Sequence, residues 1–139
     1  MRKFAFVLIP PLLAMHSNIA FSHAEANHTR AYFIAPRNGD KIAGPVTVKF
    51  GLQGYGVAPA GVIQEKTGHH HLLINVDQLP PLDQPLPKND QVRHFGGGQT
   101  ETSLELPKGR HTLQLVLGDG NHVPVGKEYI SEKITIEVK

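Results

Sequence analysis

The sequence predicts an all-β fold, a single immunoglobulin-like antiparallel β-sandwich with long loops. Two observations lead there. Apolar residues recur with period two rather than 3.6, and Gly-, Pro- and Asn-rich turns cut the chain into short segments. No segment carries an amphipathic helical pattern, and six short strands fit a sandwich of immunoglobulin size.

The strands follow in order. Ala31-Tyr32-Phe33-Ile34 reads as the first, closed by the turn Arg37-Asn38-Gly39-Asp40. Val46, Val48, Phe50 and Leu52 alternate with Thr47, Lys49 and Gly51 in a half-buried second strand. His70, Leu72, Ile74 and Val76 alternate in the third, and Thr102, Leu104 and Leu106 in the fourth. After the tight turn Pro107-Lys108-Gly109, His111, Leu113, Leu115 and Leu117 alternate in the fifth; Ile130, Ile134, Ile136 and Val138 mark the last. Three long connections join these strands, over residues 53–68, 78–99 and 118–128. The second is proline-rich, with Pro80, Pro81, Pro85 and Pro87, and reads as a stiff spacer across the sheet edge.

The N-terminus has the features of a secretory signal peptide. Arg2 and Lys3 precede an apolar run from Phe4 to Ala14, and Ser22 and Ala24 are the small residues before a cut after Ala24. The run is too short to cross a membrane. Residues 1–24 are therefore read as the signal and residues 25–139 as the domain, which places the protein in the periplasm or outside the cell. Removing Arg2 and Lys3 leaves twelve basic residues against twelve acidic ones, so no basic excess remains to attract nucleic acid or an anionic membrane surface. The domain is not expected to insert into a membrane.

The chain has no cysteine, and both methionines, Met1 and Met15, fall in the signal. Disulfides, thiolate metal sites and cysteine nucleophiles are excluded, and a metal would have to be held by nitrogen and oxygen.

The segment Gly68-His69-His70-His71-Leu72-Leu73-Ile74 is the chemical signal. On a strand, His69 and His71 share one face and His70 points the other way with Leu72 and Ile74. His70 is expected at the rim of the core with one ring nitrogen hydrogen-bonded. Alternating strand directions bring the start of the third strand, residues 94–99 and residues 119–122 to one end of the sandwich. The candidate ligands are thus His69, His71, His94 and His122, with Asp119, Glu101 and His70 as supporting groups around them. Neutral imidazoles suit copper(II) or zinc. His111 begins the fifth strand at the opposite end and is read as structural.

Three functional readings follow. The first is a binding domain that holds a divalent metal, copper or zinc. The second is a structural or protein-interaction module of the cell envelope, in which the histidines brace loops through hydrogen bonds and the partner is another envelope protein. The third is a copper enzyme: cleavage before His23 would give an N-terminal histidine able to bind copper through its amine and ring. Nothing identifies a catalytic residue. Ser103 and Ser131 lie in strands without a nucleophile elbow, and Gly96-Gly97-Gly98 lacks the Lys and helix of a phosphate loop and is read as a turn.

Five stretches resemble the bacterial exported family called domain of unknown function 4399: "VKFGLQGYGVAPAG" (48–61), "TGHHHLLINVD" (67–77), "HFGGGQTETSLEL" (94–106), "GRHTLQLVLGDGNHVP" (109–124) and "SEKITIEV" (131–138). The resemblance implies a small periplasmic or secreted β-domain and no particular activity. Family members often continue past the Asn-His-Val/Ile-Pro stretch with a further His and a Pro pair, where this chain has Val125-Gly126-Lys127.

Overall fold

The computed structural model describes residues 29–139; residues 1–24, expected from the sequence to be a signal peptide and including His23, lie outside the described residues. Among the described residues there are nine strands: β1 (Ala31–Ala35), β2 (Lys41–Ile42), β3 (Val46–Leu52), β4 (Gly56–Val57), β5 (Thr67–Ile74), β6 (Val92–His94), β7 (Glu101–Leu104), β8 (Gly109–Gly118) and β9 (Ile134–Val138). One short 3-10 turn, Lys127–Tyr129, precedes β9. No helix among the described residues is long and apolar enough to cross a membrane.

The strands form two sheets. One has the order β1-β3-β7; the other runs β2-β9-β8-β5-β4, with β6 also paired to β5. The long ladders are antiparallel, as the sequence predicts. Two two-residue pairings, β2 with β9 and β4 with β5, are parallel and come from loop segments without periodic signal. The period-two pattern places Val46, Val48 and Phe50 of one sheet against Leu72, Ile74, Leu113, Leu115, Ile134 and Ile136 of the other.

The sequence pattern misplaces three strand ends. The strand starting at Thr67 stops at Ile74, before Val76, because Asn75 turns the chain with a φ of 55°. The fourth predicted strand stops at Leu104, short of Leu106. Ile130 lies outside β9 and meets Val116 in an isolated bridge.

The strand that carries the histidines departs most from a half-buried design. From Gly68 to Ile74 every residue of β5 is buried. Its even positions face the sandwich interior. Its odd positions face outward, where a second apolar cluster of Leu73, Leu86, Val92, Val116 and Ile130 covers the six-stranded sheet. Leu86 comes from the proline-rich connection, so that connection forms a third layer over the sheet.

Candidate metal site

Opposed residues in an antiparallel pair share a face. His71 stands opposite His94 on β6 and opposite Val116 on β8, and His69 stands opposite Gly118. His69, His71 and His94 therefore lie together on the outer face of the six-stranded sheet, at the end where β8 finishes. The turn after β8 returns His122 over them. One ligand atom from each of His69, His71, His94 and His122 lies within 4.8 Å of those of the other three.

His122 Nδ1 is the hub. It lies 2.9 Å from His69 Nε2, 3.3 Å from His71 Nε2 and 3.1 Å from His94 Nδ1. A nitrogen–nitrogen hydrogen bond needs one proton between two lone pairs, and a single ring nitrogen satisfies one such partner well. Three contacts converging on one atom therefore cannot all be good hydrogen bonds. A tetrahedral zinc ion with Zn–N bonds of ~2.05 Å would set its nitrogens about 3.3 Å apart, close to the three separations seen.

The tautomer of His94 follows from its surroundings. The Pro87 carbonyl can only accept, so His94 Nε2–H donates to it at 2.9 Å. His94 Nδ1 is then a bare lone pair facing the cluster, an orientation that metal-ligating histidines obtain from a carbonyl in the same way. His69 Nδ1 and His71 Nδ1 are buried without a partner.

Burial keeps the His69 and His71 rings neutral. It is the main cause that lowers His69 to about 4 and His71 to about 3, with neighbouring imidazoles adding to it. The Val116 carbonyl opposes this for His71, from outside hydrogen-bonding geometry. Burial also lowers His122, with His94 and Lys88 acting in the same sense and Asp119 in the opposite one. At neutral pH His69 and His71 are therefore neutral imidazoles, each with one lone pair to offer a metal.

The other candidates fall in different places. Asp119 stands behind His122 rather than among the ligand atoms: its Oδ1 accepts the backbone N–H of Asn121 at 2.8 Å and of Val123 at 3.0 Å. Glu101 does not join the site. It is exposed at the start of β7, paired with Lys49 in the other sheet, because the chain changes layers between His94 and Glu101. His70 also does not support the cluster. It faces the core, fully buried, with its ring 5.1 Å from that of Phe50, and neither ring nitrogen has a partner. The expectation of a hydrogen-bonded residue at the core rim is corrected: the groups facing it are apolar. His111 sits at the far end, its Nε2 donating to the Pro107 carbonyl at 2.7 Å and its Nδ1 3.0 Å from Asn75 Nδ2. Gly96-Gly97-Gly98 is a turn, with the Gly97 N–H on Gln99 Oε1.

Three residues important to the site carry no functional signal in the sequence. Pro87 and Leu86 lie in a stretch without periodicity. Gly118 is required for space: a Cβ there would stand 2.5 Å from His71 Cε1 and 3.0 Å from its Nδ1.

Fold and site together define a small β-sandwich with a four-histidine cluster, His69 and His71 buried and His94 and His122 half-buried, on the outer face of one sheet. The chain belongs to the family described as domain of unknown function (DUF4399), which matches over residues 48–139. No curated protein matches the chain. Among solved structures, the fibronectin(III)-like modules of CbhA from Clostridium thermocellum align with a TM-score of 0.48 at 11% identity, covering 78% of this chain and 95% of that one.

Proposed function

We propose that the protein is an exported metal-binding domain that holds one zinc or copper(II) ion on His69, His71, His94 and His122. The observation that carries this reading is the gathering of four imidazole nitrogens within 4.8 Å of one another. The absence of sulfur donors favours these borderline ions over soft copper(I). Four nitrogens fill a tetrahedral site, which suits holding an ion better than activating a water on it. Export is supported by the leader-like residues 1–24, and it places the domain in the cell envelope or outside the cell.

The bracing role has one observation in its favour, the hydrogen bond from His94 to Pro87. It accounts for one of the four imidazoles and leaves the crowding at His122 Nδ1 unexplained.

Calorimetric titration of zinc and of copper(II) into metal-stripped protein tests the proposal. One equivalent should bind tightly to the wild type, and His69→Ala and His122→Ala should each lose that binding. Equal binding by wild type and both variants would refute it.

A further inference from the structure

Residues 78–88 form a strap across the outer face of the six-stranded sheet. One side chain in it is fully buried: Leu86, packed with Leu73, Val92, Val116 and Ile130. Leu82 packs partly against the same cluster. Among the described residues, the strap makes two hydrogen bonds to the rest of the fold. The Leu86 N–H donates to the His122 carbonyl at 2.9 Å, and the Pro87 carbonyl accepts from His94 Nε2–H at 2.9 Å. Both polar tethers therefore end on candidate metal ligands, one on a ligand's backbone and one on a ligand's ring.

We propose that metal occupancy of the histidine cluster controls the docking of the strap over the sheet. This inference rests on the metal-binding reading. The physical argument is a chain of constraints. A metal bound to His94 Nδ1 fixes that ring and strengthens its opposite N–H as a donor to Pro87. A metal bound to His122 Nδ1 fixes the turn whose carbonyl receives the Leu86 N–H. Both tethers tighten together, and Leu86 lies between them. Without the ion, the three nitrogens crowding His122 Nδ1 have no common partner. His122 is then pushed away from the cluster, and its carbonyl moves with it. The strap keeps only the apolar contacts of Leu82 and Leu86, and four prolines that cannot donate backbone hydrogen bonds offer it no replacement tether. Its release uncovers Leu73, Val116 and Ile130, an apolar surface that the metal-bound protein hides.

Coupling of this kind is reciprocal. Loosening the strap must weaken the metal by the same factor by which the metal tightens the strap. Leu86→Ala removes the apolar anchor without touching a ligand.

Amide hydrogen exchange of the purified protein, with zinc chloride and after chelation, reads the coupling directly. The Leu86 amide is the reporter. It should exchange at least tenfold faster without zinc, while the β3 amides change little, and an apolar fluorophore should bind the metal-free form more strongly. Leu86→Ala should weaken zinc by about tenfold, within the usual range of coupling between sites. Ile136→Val, placed between the sheets, should lower thermal stability yet leave zinc affinity within twofold. Zinc bound at one equivalent with unchanged Leu86 exchange would overturn the coupling and leave the metal site standing. Failure of zinc to bind at all would overturn both. Equal loss of affinity in Leu86→Ala and Ile136→Val would show that general destabilisation, not the strap, governs the site.

Discussion

His122 donates its backbone N–H to the Asp119 carbonyl at 2.9 Å, and it does so with a φ of 67°. A left-handed backbone is uncommon outside glycine and persists where its surroundings enforce it. Asp119 supplies the enforcement, since its carboxylate also accepts the N–H groups of Asn121 and Val123 on either side of His122. Asp119→Ala should therefore lower zinc affinity by about 10- to 100-fold, the range seen when groups behind a metal ligand are removed. Asp119→Asn keeps an oxygen acceptor and should stay within about tenfold of wild type, a smaller loss than Ala. Competition with a calibrated chelator measures both. Equal losses would mean that the carboxylate charge, not the turn, is what matters.

Gly118 gives a steric prediction. The Cβ of Gly118→Ala would also stand 3.3 Å from the His122 carbonyl carbon, so the new methyl presses on two candidate ligands at once. Overpacking of this kind costs about 1–3 kcal/mol. The variant should remain folded by circular dichroism yet bind zinc at least tenfold more weakly. Unaltered zinc affinity would show that His71 can move aside and is not needed where it stands.

The strand framework was legible because burial on one side imposes period two, and β3, β8 and β9 obey it. The meeting of His69, His71, His94 and His122 was legible for a topological reason: strand direction alone decides which loops share an end. Other features depended on contacts between layers, which period and spacing do not encode. The ring beside His70, that of Phe50, lies on another strand and packs in turn on Phe95, and both are apolar. Glu101 follows His94 closely in sequence, but β7 crosses to the other sheet. The strap has one buried leucine in eleven residues, so no pattern marked it as a third layer.

The buried imidazoles make the metal-free protein sensitive to mild acid. The sign follows from proton uptake. In the unfolded chain histidine takes a proton near pH 6.5, whereas in the folded chain burial lowers His70 to about 4 and His71 to about 3. Between these values the unfolded state binds more protons, so folding stability is complete above pH 6.5 and falls as the pH drops toward the folded values. The slope is about 1.4 kcal/mol per pH unit for each such imidazole. Urea denaturation at pH 7, 6 and 5 in the presence of chelator should show a midpoint that falls steadily. A midpoint constant over that range would mean that the rings are protonated in the fold after all.

His70 separates the structural role of the triplet from the chemical one. Its two ring nitrogens are buried with no partner, a state that costs about 1–3 kcal/mol per group relative to a hydrogen-bonded or apolar one. The ring packs on Phe50, and an apolar side chain of similar volume can keep that contact. His70→Leu should therefore raise stability by about 1–2 kcal/mol, after allowing for imperfect fit against the aromatic rings. Zinc affinity should stay within twofold, because His70 points into the sandwich while His69 and His71 point out of it. Denaturant unfolding with and without zinc reads both quantities in one series. A destabilised His70→Leu protein would mean that the ring has a hydrogen-bonding partner in solution, such as a buried water. A stabilised protein with weakened zinc would mean that the two faces of β5 communicate.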